Sequence, residues 1–146
     1  MGYPDGEAAL LALIKAHAGY DGRNASRQDW KVLKSGASDH YAVLRPGPYT
    51  NADNGFGLAL RTWRTVIECW RPYRNDEKPQ DLQTDVMVLI EYLETYPRIN
   101  STAGVYEANI TGGGDMVEVT LENGSLWARW DIYYDWQEEK VISYAE

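Results

Sequence analysis

A change of period halfway along the chain most constrains what it can fold into. From Leu58 to Trp70 the run Leu-Ala-Leu-Arg-Thr-Trp-Arg-Thr-Val-Ile-Glu-Cys-Trp alternates and is rich in β-branched and aromatic residues. That is the pattern of a strand with two distinct faces. After a polar break, Arg74-Asn-Asp-Glu-Lys-Pro-Gln, the residues Leu82, Val86, Leu89, Ile90 and Leu93 fall on one stripe of an α-helix. A long strand followed by a strongly amphipathic helix, Leu60 to Tyr96, is a nucleus that other strands can pair with and other helices can pack beside. One face of the strand, Trp63, Thr65, Ile67 and Cys69, is the expected core face. The other, Thr62, Arg64, Val66, Glu68 and Trp70, mixes charge with large apolar groups and is expected to form a subunit contact.

The rest of the chain supplies partners for this nucleus. Asp5 is placed to cap a first helix running from Glu7 to His17, with Leu10, Leu13 and Ile14 on one stripe. Asp21 to Asp29 reads as a polar loop, Trp30 to Lys34 fits either a strand or a helical turn, and His40 to Arg45 is a compact strand stopped by Pro46. Tyr49 to Gly57, rich in Asn and Gly, is expected to be a mobile loop. The main helix starts near Pro79, carries Glu91 and Glu94 on its outer face and is closed by Pro97. Val105 to Thr111 alternates as a strand. Gly112-Gly-Gly precedes no helix and lacks the Lys-Ser/Thr of a phosphate loop, so a bulge or crossover is expected. A short strand, Met116 to Leu121, an Asn-Gly turn and a long last strand follow; in the last strand Leu126, Ala128, Trp130, Ile132, Tyr134 and Trp136 form the core face. Strands of antiparallel type with two segregated helices predict a single α+β domain over residues 1–146, the helices on one face of a mostly antiparallel sheet.

The 146 residues suffice for one core without a staple, and the lone Cys69 permits no internal disulfide, which suits a reducing compartment. The first residues have no basic region ahead of an apolar run, so neither a signal peptide nor a membrane span is expected, and the host cytoplasm is the expected place of synthesis. The formal charge of −8 is unevenly distributed. Through Arg74 there are ten Lys or Arg against seven Asp or Glu, a net of +3; beyond it four stand against fifteen, a net of −11. A split of this kind favours surfaces of opposite sign and self-association. Six Trp and eleven Tyr against one Phe suit half-buried positions and interfaces.

Catalytic chemistry is not legible. His17 and His40 have no acid or cysteine at metal spacing, no nucleophile signature occurs, and Asp131 and Asp135 lie roughly 13 Å apart along one strand, wider than glycoside hydrolysis uses. No enzyme, cofactor or metal is therefore expected, and the negative charge argues against a sequence-reading nucleic-acid module. Arg61, Arg64, Arg71 and Arg74 are expected to meet acids of a neighbouring subunit, such as Glu91, Glu94 or Asp131, or acids of the main helix. Two alternatives carry sequence support: a carbohydrate- or ligand-binding module using Trp70, Trp127 and Tyr133, and an acidic DNA-mimic inhibitor using the C-terminal half.

Several segments together resemble the tail-terminator (tail-completion) proteins of long-tailed bacteriophages, the group typified by the lambda U protein, or a related head–tail neck or minor tail protein. They are Tyr41-Ala-Val-Leu-Arg-Pro-Gly, Arg61-Thr-Trp-Arg-Thr-Val-Ile-Glu, Leu89-Ile-Glu-Tyr-Leu-Glu-Thr-Tyr-Pro, Val105 to Gly113, and Leu126-Trp-Ala-Arg-Trp-Asp-Ile-Tyr-Tyr. The resemblance implies a structural protein of the virion that forms a ring, commonly of six copies. The ring caps the tail tube, ends its polymerisation and joins the tail to the head connector. It also implies that tail-tube protein, connector and other copies of the chain are the partners, and that genomic DNA passes the lumen without sequence-specific binding. It carries over no catalytic residue. The heterologous contacts of a ring need two unlike patches, which the charge split can provide.

Overall fold

A computed structural model describes residues 2–20, 24–34, 39–53, 57–73 and 79–141 of the protein. Helix α1 (Tyr3–Lys15) comes first, earlier than expected. Gly2 is its N-cap, without a side-chain hydrogen bond, and Pro4 lies in the first turn, where its missing N–H has no helical partner to lose. Asp5 is thus a first-turn residue that favours the helix through its charge, not the cap.

The strands are β1 (Ala25–Arg27), β2 (Tyr41–Pro46), β3 (Thr50–Asp53), β4 (Leu58–Pro72), β5 (Glu107–Gly113), β6 (Val117–Thr120) and β7 (Leu126–Val141). They form one seven-stranded sheet in the order β1-β2-β4-β7-β5, with β3 also on β4 and β6 also on β7. Its spine is the antiparallel pair β4 and β7, in register from Leu58 opposite Val141 to Pro72 opposite Trp127. Among the described residues, only β1 with β2 is a parallel pairing. The expected α+β domain, mostly antiparallel with its helices on one face, is the one observed.

Two short strands depart from the sequence reading. Ala25–Arg27 lies in the expected polar loop, and Thr50–Asp53 lies in the expected mobile loop; both pair with a neighbour. Such strands are made by the ladder they join rather than by their own side chains. The rest of the second loop, residues 54–56, lies outside the described residues. The glycine run is a bulge: the β5–β7 register slips between Ile110 and Gly112. Gly113 must be glycine for close approach, since a Cβ there would lie 2.5 Å from the Asp131 carbonyl oxygen.

Helix α2 (Pro79–Glu94) packs Leu82, Val86, Leu89 and Leu93 against the same sheet face as Leu10, Leu13 and Ile14 of α1. Ile67, Cys69, Ala128, Ile132, Tyr134 and Trp136 meet them from β4 and β7, so the expected core faces hold. After α2, Pro97–Ser101 forms a single turn, α3, in which Arg98 to Ser101 have φ between 51° and 58°. Left-handed residues cost about 1–2 kcal/mol each. Burial of Ile99 and a bond from Thr102 N–H to the Arg98 carbonyl, 2.9 Å, offset part of that cost.

The opposite sheet face was not expected to have a core, yet it has one. Leu33, Val43, Trp70 and Trp127 are buried together, with Val32, Tyr41, Val119 and Leu121 around them. The cover is a 3-10 turn, Trp30–Val32, whose Asp29 side chain accepts from the Lys31 N–H. Strand β6 closes the other side through a hairpin in which Gly124 takes φ 82°.

Candidate assembly surface

The register of the two spine strands sets the chemistry of this second face. Across β4 and β7, Arg64 stands opposite Asp135, Val66 opposite Tyr133, Glu68 opposite Asp131 and Trp70 opposite Arg129. Glu68 and Asp131 alone would repel each other. Arg45 of β2 and Arg129 of β7 resolve this. Arg45 bonds Glu68 at 2.5 Å and lies 3.7 Å from Asp131, while Arg129 lies 3.5 Å from Glu68 and 2.7 Å from Asp131. The indole N–H groups of Trp30 (2.8 Å) and Trp70 (3.2 Å) donate to the second Glu68 oxygen. A buried carboxylate is tolerable here because both of its oxygens are satisfied.

Alongside, Arg64 holds Asp135 through two bonds of 2.8 and 3.1 Å and lies over the Tyr133 ring. Arg129 lies over Trp70. Hydrogen bonding to Asp135 and to Asp131 raises the pKa of Arg64 and Arg129 respectively. The arginines lie outermost: Arg45 is 34% exposed and Glu68 3%, and Arg64 is 33% exposed and Asp135 16%. The face is nearly balanced in formal charge but shows guanidinium to its surroundings.

A second polar joint lies on the helix side. Arg71 bonds Asp85 of α2 at 2.9 Å, one of the two kinds of partner expected for it. His40 lies 3.3 Å from the same carboxylate and its Nε2 is 2.7 Å from the Gly19 carbonyl oxygen. Burial lowers the His40 pKa, but the hydrogen bond and charge of Asp85, the Gly19 carbonyl and Asp39 outweigh it, and the net direction is upward. Cys69 is buried and its thiol pKa is pushed up by burial, which keeps it in the non-nucleophilic form.

Of the residues expected at a subunit contact, Val66, Glu68 and Trp70 are only 2–3% exposed, so their side chains are spent inside the subunit. The reason is the cover over the second face: residues 30–33, β6 and the arginine layer fill the space a neighbour would have needed. Arg64 and Asp131 are half-buried and ion-paired within the chain. Arg61 is half-exposed, and Glu91 and Glu94 are exposed on α2; none of the three makes an ion pair among the described residues. Arg74 lies outside the described residues. The sequence reading missed Trp30, Arg45 and Arg129. The only signal was Arg129 two residues before Asp131 on one strand face.

The aromatic platform of the carbohydrate alternative is not open. Trp70 and Trp127 are buried and the Tyr133 ring lies under Arg64. A shallow hollow of about 240 Å³ beside it is lined by Thr62, Glu107, Asn109, Thr111, Asp135 and Gln137. Among the described residues no three His, Cys, Asp or Glu side chains converge to hold a metal, and no helix is long and apolar enough to cross a membrane. No protein-family model matches the chain, and no curated protein matches it.

Proposed function

We propose that the chain is a structural virion protein of a long-tailed phage, a tail terminator whose copies close into a ring on the tail tube. The ring ends tube polymerisation and offers its other side to the head connector, at the head-proximal end of the tail. The observation that carries this reading is the pair of unlike faces on one domain. An arginine-outward sheet face lies on one side, and on the other an acidic helix face carries Glu91 and Glu94. Unlike faces meet head to tail, and a head-to-tail contact closes a ring when its rotation permits. The strand and helix order that resembles the terminators supports the same reading.

The partners in this reading are other copies, tail-tube protein and connector, with genomic DNA passing through the lumen. The test is to add the purified chain to polymerising tail-tube protein and examine the product by electron microscopy. Tubes of limited length capped by a ring are expected. Tubes that grow as before, without a cap, would remove the reading.

The hollow around Asn109 and Gln137 supports a second reading, a module that binds small hydroxylated ligands through its amides, hydroxyls and carboxylates. Saccharide titration followed by tryptophan fluorescence separates the two: a saturable change supports the module, and no change leaves the ring.

A further inference from the structure

We infer that the subunit contact of this ring joins two particular patches, one on the outer stripe of α2 and one on the sheet face beside Trp30. The inference rests on the ring reading above and names its interface and its occupant, a second copy of this chain. Because Leu82, Val86, Leu89 and Leu93 point into the core, the opposite side of α2 projects outward. There Met87 is 48% and Val88 44% exposed, with Glu91 one turn on and Glu94 about two. Two large apolar side chains flanked by two acids that make no ion pair among the described residues form one patch.

The other patch has the complementary make-up. Trp30 is 43% exposed although its indole N–H is anchored on Glu68, and Val117 is 44% exposed opposite Arg129 in the β6–β7 register. Between and beside them lie the outward guanidinium groups of Arg45 and Arg129. Of the large hydrophobic side chains that are exposed among the described residues, these four fall on the two patches, and Tyr49 and Tyr106 are the others.

The match is therefore double: apolar against apolar at the centre, and carboxylate against guanidinium at the rim. Arg45 and Arg129 have already given up part of their hydration to their own acids, so a second carboxylate from outside completes their donor set. The two patches lie on opposite sides of the sheet, so one copy cannot satisfy both with the same partner across a two-fold axis. Each copy uses its helix patch on one neighbour and its sheet patch on the other. Repeated with a rotation that closes, this gives a ring.

Disulfide trapping tests the contact, since the native Cys69 is buried. A chain carrying both Val88→Cys and Val117→Cys is oxidised under assembly conditions, and its sedimentation is followed in parallel. A cross-linked ladder ending at the closed ring is expected from the double variant, and dimers only from a mixture of the two single variants. Glu91→Lys with Glu94→Lys should lower the assembled fraction at least tenfold while circular dichroism shows the fold intact. Rings that form without cross-links, or with only 88-to-88 links, would overturn this contact and leave the ring reading in place. A chain that never assembles, even with tail-tube protein, would overturn both.

Discussion

Gly6 of α1 lies against the indole of Trp136 on β7 so closely that a Cβ at position 6 would fall inside the ring's van der Waals envelope. Trp136 is fully buried and is flanked by Tyr3, at a centroid distance of 6.1 Å, and Trp63, at 6.2 Å. It has no room to retreat. A glycine inside a helix normally costs about 1 kcal/mol relative to alanine; here the missing side chain is what lets the helix reach the sheet. Gly6→Ala should therefore lower stability, by about 1–3 kcal/mol, despite the gain in helix propensity. Urea unfolding followed by tryptophan fluorescence measures it, and an unchanged or higher midpoint would show that α1 can shift without loss.

Glu68 is the hub of the second face. Removing its carboxylate with Glu68→Ala takes the bonded acid from Arg45, leaves Arg129 with Asp131 alone and leaves two indole N–H groups without this acceptor. Because both arginines are part-exposed and keep Asp131 nearby, the cost should fall below that of a fully buried ion pair, at about 1–3 kcal/mol. Glu68→Gln keeps an acceptor for the indoles and should lose less. A denaturation series across the two variants checks the order.

His40 makes stability pH-dependent. Its folded pKa is raised above the ordinary value of 6.5, mainly through Asp85 once burial is overcome, with Asp39 adding and Arg71 and Tyr20 close by. The folded state therefore holds this proton more tightly than the unfolded chain does. Its contribution is complete below about pH 6.5 and is lost as pH rises through the folded value. Thermal melts from acid to alkaline pH should show a decline across that window in the native protein, and His40→Gln should flatten it. An unchanged slope in the variant would assign the dependence to other groups.

Cys69 should be silent to thiol reagents while the protein is folded. It is 1% exposed and burial raises its pKa, so both access and thiolate are lacking. Labelling with an aromatic disulfide should follow global unfolding, at the same denaturant midpoint as fluorescence. Fast labelling in buffer would reveal a local opening between β4 and α2.

Ionic strength should separate the two kinds of ion pair. Contacts between the rims of neighbouring copies are exposed and weaken as the screening length falls from about 10 Å at 0.1 M salt to about 3 Å at 1 M. The network at Glu68 is shielded inside the subunit. Sedimentation across a salt series should therefore show dissociation without a matching fall in the melting temperature. Assembly indifferent to salt would mean that charge does not close the ring.

The amino-acid sequence by itself determined the elements with strong local periodicity. The strand through Leu58 to Trp70, the helix stripe of Leu82, Val86, Leu89 and Leu93, the last strand and the α+β class all follow from which residues must leave water together. What it left ambiguous was the far side of the sheet. Arg64, Glu68 and Trp70 alternate with core residues, and a mixed face reads equally as a contact with a neighbour or as a second interior. Only the tertiary structure decided this. Trp30 and Leu33, Arg45, and Arg129 come from three separate stretches of chain, and their arrival depends on the register of β2, β4 and β7 rather than on any local pattern. Pairing satisfies the charges within the subunit, and a covered carboxylate such as Glu68 is stable only when all of those partners arrive together. The same register left Trp30 and Val117 uncovered on one side of the molecule while α2 left Met87 and Val88 uncovered on the other. The helix period already sets Met87 and Val88 off the core stripe of α2, but no periodicity in the sequence separates Trp30 and Val117 from their buried counterparts, because exposure of an apolar group there depends on what the rest of the fold fails to cover.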